Sequence, residues 1–288
     1  MEQGGTVLVT GGNAGIGYFV AEQLAGAGAS VVLGSRNPGK ADAAIGVIRE
    51  RVPGADVRKV RLDLADLGSV KAAADEVGVV GAVVHNAGMF GAGTRKTTAD
   101  GNEVMFATNH LGHFALTHWL KLAENGRVVV TGSLMARSAR LDFDDLQTER
   151  NYKTMRAYAR SKLAQMVFGF ELDRRLRAAG STVRCVVTHP GGALDSLTPN
   201  RPAVATGHSA WASPAKVLLQ GKDSGAWPAV RAVLDPGVEG GQLLGPRGLF
   251  STRGKPKTES PRPHFVDPAD AKKLWDASAR LTGVDPLA

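Results

Sequence analysis

The chain has 288 residues, 43% of them hydrophobic, enough to bury one large core in a domain spanning 1–288. No apolar run approaches the roughly eighteen residues of a membrane-spanning helix, and the single cysteine, Cys185, excludes an internal disulfide and suits a reducing compartment. The formal charge of +8 is spread along the chain except for Arg247, Arg253, Lys255, Lys257 and Arg262, read as a solvated Pro- and Gly-rich tail segment; without an aromatic platform or basic helix it does not indicate nucleic-acid binding.

Taken in chain order, Thr6 to Thr10 is short, apolar and β-branched, as expected of a strand buried on both faces of a parallel sheet. Gly11-Gly12-Asn13-Ala14-Gly15-Ile16-Gly17 follows, and then a helix running to Ala27. Strand, glycine-rich turn and helix amino terminus together form an anion site, where N–H groups and the helix dipole hold a pyrophosphate. Further strands are predicted near Val31, Val57 to Leu62, Ala82 to His85, Arg127 to Thr131, Val183 to Thr188 and Gly241 to Leu244. Helices are predicted over Lys40 to Arg51, Leu67 to Val77, Gly101 to Leu122, Tyr152 to Ala179 and Asp267 to Thr282. The alternation predicts an α/β fold: a doubly wound parallel sheet of about seven strands, helices on both faces, ligand at the carboxyl ends of the strands. No signal peptide precedes the first strand, so a cytoplasmic protein without a membrane anchor is expected.

Tyr158 and Lys162 stand four residues apart on a predicted helix, hence on one face. An ammonium near a phenol favours phenolate and draws its pKa down from about 10, which suits general acid-base work. The residue after the second strand meets the adenine ribose of a dinucleotide. Here Ser35-Arg36-Asn37 carries no acid, and Arg36 can bond a phosphate, so NADP(H) is expected over NAD(H). Residues 192–235, irregular from Leu197 to Trp227, read as a substrate loop or lid. Trp211 and Trp227 either line a lipophilic pocket or simply pack. His110, His113 and His118 share a helix but lack a third ligand with proper spacing, so no metal is expected.

These motifs resemble the short-chain dehydrogenase/reductase family from about Gly5 to Pro190. Gly11, Asn13, Gly15, Ile16 and Gly17 match its cofactor turn, and Asn86-Ala87-Gly88 its next signature. Asn109, Ser133, Tyr158 and Lys162 match its catalytic set, and Pro190-Gly191 the turn beside the nicotinamide. The resemblance implies that Asp63 and Leu64 sit at the adenine. It implies that Ser133 orients a carbonyl and Tyr158 passes a proton as hydride moves. Lys162 would hold the ribose and lower the tyrosine pKa, and Asn109 would kink its helix and place water for a relay. The insertion Leu141-Asp142-Phe143-Asp144-Asp145-Leu146, its acids read as a solvated loop, and Ser161-Lys162-Leu163-Ala164 are similar to the retinol-dehydrogenase-like branch. That implies interconversion of a carbonyl and an alcohol on a lipophilic small molecule. After Gly191, Asp195 and Ser196 both remain candidates for the carboxamide contact. A cofactor-binding regulatory or scaffolding protein without turnover is the alternative. Substrate, direction and oligomeric state, a homo-oligomer included, stay open.

Overall fold

Alternation within the first strand dictates the layering. In β1 (Thr6–Thr10), Val7 and Val9 enter one apolar cluster and Leu8 enters the other, on the opposite face of the sheet. The structure is a computed structural model describing residues 5–91, 93–205 and 218–287. On the Val7 face lie α1 (Gly15–Gly26), α2 (Pro38–Arg51) and α8 (Trp227–Leu234). On the Leu8 face lie α3 (Leu67–Val77), α5 (Gly112–Trp119) and α6 (Thr154–Ala178). Strands covered on both sides become near-continuous apolar runs, which is how β1, β2 (Ser30–Ser35) and β4 (Val79–His85) read.

The sheet has eight strands, one more than predicted, in the order β3-β2-β1-β4-β5-β6-β7-β8. β3 (Val57–Arg61), β5 (Lys121–Thr131), β6 (Arg184–Thr188) and β7 (Leu243–Pro246) are parallel to β1, and β8 (Pro256–Glu259) pairs antiparallel with β7. The strand order reverses between β1 and β4, where an open α/β sheet leaves a crevice at its carboxyl edge. The basic stretch is solvated as expected, but it is not a tail, because β8 makes part of it an edge of the sheet. Pro256 and exposed Lys257 are tolerated because the strand is at an edge, where no further neighbour needs their backbone groups. Cys185 is free and buried in β6.

The helix expected over Gly101 to Leu122 is shorter and broken. It comprises α4 (Val104–Phe106), a π turn (Ala107–Leu111) and α5, and Lys121 and Leu122 already belong to β5. Leu120, extended at ψ 131°, ends the helical run. α6 runs into Gly180 at φ +68°, a left-handed position that a β-carbon would strain. Asp267 caps α9 (Pro268–Thr282) by accepting from the N–H groups of Ala269 and Asp270.

The span 192–235 is only partly a loop. α7 (Lys222–Gly225) leads into α8, whose Ala229, Ala232 and Val233 lie in the core, so its second half is scaffold. Trp227 starts α8, and Trp211 lies outside the described residues. The insertion packs too: Asp145 is buried and accepts from the N–H groups of Glu149 and Arg150. Among the described residues no helix is long and apolar enough to cross a membrane, and no cluster of three His, Cys, Asp or Glu side chains could hold a metal.

Candidate active site

A cleft of about 760 Å³ opens at the carboxyl edge of the sheet, within the range of small-molecule sites. Its floor is the glycine turn. Gly11 takes φ +66°, and its β-carbon would lie 3.1 Å from Ala87, so β1 and the Asn86–Gly88 turn approach through an atom that glycine lacks. The hydroxyl of Thr10 ties the two together. It accepts from the N–H groups of Asn86 at 3.0 Å and Ala87 at 2.9 Å, while Asn86 Nδ2 donates to the Thr10 carbonyl at 3.0 Å. α1 begins at Gly15 with no capping side chain and no acid in its first turn. Gly15 N donates to the Ala205 carbonyl at 3.1 Å, and the N–H groups that follow, without a side-chain cap, together with the positive end of the helix dipole make this turn fit a pyrophosphate.

Gly11, Asn13, Gly15, Ile16, Asn86, Ala87 and Gly88 line this part of the cleft. Gly17 does not. It is packed behind the turn, where a β-carbon would come within 2.4 Å of the Gly11 carbonyl oxygen and of Asn86 Nδ2.

Ser35, Arg36, Asn37, Asp63 and Leu64 line the far wall, together with Lys40, which sequence reasoning missed. Asn37 also serves the scaffold, since its Oδ1 accepts from Lys40 N at 3.0 Å and caps α2. That cap starts the helix so that Lys40, one turn on, stands beside Arg36 in the same wall. Both are exposed. Lys222, also missed, lines the opposite wall and pairs with Asp195. Neither Asp195 nor Ser196 is among the lining residues, and of Pro190 and Gly191 only Pro190 is.

Ser133, Tyr158 and Lys162 meet at the other end of the cleft. Ser133 follows β5 and caps a short 3-10 turn, Leu134–Ser138, accepting from Met135 N at 3.2 Å. Tyr158 stands edge-on to Phe90 with ring centroids 5.3 Å apart. Burial pushes its phenol above the ordinary value, and the hydrogen bond with Ser133 acts the other way. The expectation that Lys162 lowers this pKa is not met here. The ammonium points past the tyrosine, donating to the Thr131 carbonyl at 3.0 Å and to Gln165 Oε1 at 2.9 Å. Its own burial lowers it to about 8.

Asn109 lies behind the cleft, fully buried in the π turn, which is the helix irregularity expected of it. Its Oδ1 accepts from Met89 N at 2.8 Å, and its Nδ2 donates to the Met89 carbonyl and to Ser161 Oγ. The side chain therefore fixes the segment carrying Met89 and Phe90, two further lining residues.

Sequence reasoning also missed a buried polar network beneath the site. Gln165, which receives the lysine bond, donates to the His85 carbonyl at 3.2 Å and touches His113. His113 Nδ1 lies 3.2 Å from both the Asn109 carbonyl and Gln165 Nε2, and its Nε2 lies 2.9 Å from Thr10 Oγ1. Burial holds His113 well below its ordinary pKa and His85 and His110 at about 3, all neutral. A path of side-chain contacts thus runs from the glycine turn to Lys162.

The model of the short chain dehydrogenase family matches residues 5–203. Human retinol dehydrogenase 13 is 34% identical, the match covering 98% of this chain and 86% of that protein. Human polyprenol dehydrogenase is 33% identical over 96% and 84%. An uncharacterised protein from Mycobacterium paratuberculosis has a crystal structure that superposes with TM-score 0.80 at 34% identity, covering 98% of this chain and 94% of that one. A short chain dehydrogenase from Burkholderia cenocepacia J2315, in complex with NADP, gives TM-score 0.61 at 26% identity over 80% and 91%. With glycine turn, strand order and family match in agreement, this chain belongs to the short-chain dehydrogenase family of oxidoreductases, on its retinol-dehydrogenase-like branch.

Proposed function

We propose that this protein is an NADP(H)-dependent oxidoreductase that interconverts a ketone or aldehyde and the corresponding alcohol on a lipophilic small molecule. One observation carries the reading: Ser133, Tyr158 and Lys162 share a single cleft with a glycine turn that no side chain caps and a wall holding Arg36 and Lys40. Bound there, the nicotinamide would supply or accept the hydride. The chain's own residues do the rest. Gly11, Gly15 and the start of α1 bind the pyrophosphate, with Lys222 adding positive charge beside them. Arg36 and Lys40 attract a ribose phosphate, and no acid after β2 opposes it.

Tyr158 has a phenol held protonated by burial, which suits a proton donor to a carbonyl oxygen during reduction. Ser133 bonds the same oxygen and orients it. Lys162, anchored by Thr131 and Gln165, would hold a positive charge beside the ribose hydroxyls. Phe90, in T-shaped contact with Tyr158, favours an apolar substrate. Two human relatives are named for retinol and polyprenol, both lipophilic alcohols, which supports that class. The test is NADPH oxidation against a panel of lipophilic ketones and aldehydes, with Tyr158→Phe as the variant. Turnover should fall at least about a hundredfold while NADPH still binds. A near-normal rate in the variant would remove the tyrosine from the chemistry, and binding without turnover in the wild type would favour a regulatory protein.

A further inference from the structure

The loop joining β7 to β8 carries an apolar tip on a basic hairpin. Leu249 and Phe250 are 62% and 72% exposed. Their exposure does not come from a loose loop. Arg137 Nη1 donates to the Phe250 carbonyl at 3.0 Å, and Gly248 N to the Arg253 carbonyl at 2.8 Å. Arg247 N donates to the Lys255 carbonyl at 2.9 Å, and Gly192 N to the Thr252 carbonyl at 2.8 Å. Phe250 and Ser251 are left-handed at φ 54° and 59° although neither is glycine, an unfavourable backbone that persists only where the surroundings enforce it. The fold therefore holds two large apolar side chains outward against local strain.

In the same β7–β8 hairpin stand Arg247, Arg253, Lys255 and Lys257, all exposed. The one acid between Arg247 and Arg262 is Glu259, mostly buried and turned inward to Arg137 and His189. We propose that this tip docks the protein on an anionic lipid surface, with Leu249 and Phe250 entering the headgroup layer and the cations meeting phosphates. Two exposed side chains on a 3-10 turn are far smaller than the roughly 800 Å² a stable protein partner covers. A wedge of apolar residues in a positive field fits a charged interface. The tip also neighbours the catalytic end of the cleft: Arg137 lies in the 3-10 turn that Ser133 caps, and Thr252 holds the chain just after Pro190. Docking would bring the cleft mouth to the phase where a lipophilic carbonyl dissolves. That last consequence rests on the proposed activity; the docking itself does not.

Co-sedimentation of the full chain with vesicles tests it, using phosphatidylcholine alone and phosphatidylcholine with roughly one third phosphatidylglycerol. Binding should be at least about tenfold stronger to the anionic vesicles and weaken in about 0.5 M salt. Leu249→Ser combined with Phe250→Ser should lower it about tenfold, as should Lys255→Gln with Lys257→Gln, while thermal midpoint and turnover of a water-soluble carbonyl stay unchanged. Wild-type protein that ignores anionic vesicles, or a double serine variant that binds as well as wild type, overturns the proposal. So does a concentration-dependent dimer lost in the serine variant without vesicle binding, which would assign the tip to contact between copies. Vesicle binding with no carbonyl turnover would sink the activity reading alone.

Discussion

Thr10→Val probes whether one hydroxyl holds the glycine turn to the Asn86–Gly88 turn. Valine keeps the shape and removes the oxygen that accepts from Asn86 N and Ala87 N and meets His113 Nε2. Thr10 is fully buried and the two N–H donors are half-buried, so water replaces the lost acceptor poorly. A buried donor left unpaired costs about 1–3 kcal/mol. Asn86 N keeps the Val84 carbonyl at 2.9 Å as a second acceptor, so Ala87 N is the donor left unpaired and the loss should be roughly 2 kcal/mol. Urea unfolding followed by circular dichroism measures it, and NADPH binding by fluorescence should weaken in parallel because Asn86, Ala87 and Gly88 line the cleft. Thr10→Ser keeps the oxygen and should lose only about 1 kcal/mol from the missing methyl. A valine variant within about 0.5 kcal/mol of wild type, or a serine variant as damaged as the valine one, refutes the bridging role.

Lys162 is lowered from its ordinary 10.5 to about 8 by burial, so folding withholds roughly 3 kcal/mol at neutral pH. Between pH 8 and 10.5 the unfolded chain binds a proton that the folded chain lacks, and stability rises with pH through that window. Lys162→Met should remove this dependence, so its stability relative to wild type should decline from about pH 8 to about 10 in chemical denaturation; a constant difference would contradict the burial argument. Arg36→Ala with Lys40→Ala should lower the NADPH-to-NADH ratio of kcat/KM by about tenfold or more, losing one or two charge-assisted bonds; an unchanged ratio would place the phosphate elsewhere. Gly17→Ala drives a β-carbon to 2.4 Å from the Gly11 carbonyl oxygen, whereas Gly46→Ala meets nothing within 4 Å. The first should weaken NADPH binding at least about tenfold and the second leave it alone; equal effects would deny the packing at Gly17 its role.

Local patterns revealed the parts of the site that are local in the chain. The glycine turn announces itself between an apolar strand and a helix, and Tyr158 with Lys162 needs only the helical repeat. Gln165 did not stand out and His113 drew notice only as a metal ligand to be set aside, because their meaning depends on a contact across 52 residues that no spacing encodes. Lys222 was hidden for the same reason, reaching the cleft from far along the chain. Lys40 was within reach: Asn37 followed by proline is a helix-start signal that fixes which residue rises one turn later. β8 escaped because proline, glycine and lysine argue against a strand, and only its edge position makes them harmless. The direction of the Tyr158 shift was misjudged because sequence shows a nearby cation but not the burial that outweighs it, nor the carbonyls that draw the cation away.

The extra residue in the helical ladder at Ala107–Leu111 acts as a phase offset. A single insertion in a helix turns everything after it by about 100°, so the π turn decides which flank His113 and Phe114 present to the sheet. Deleting one position there would restore a regular spiral and rotate His113 off Thr10, and lengthening the segment would overshoot. The stretch should therefore tolerate exchange of side chains far better than a change of length, although it shows no glycine-rich signature of its own.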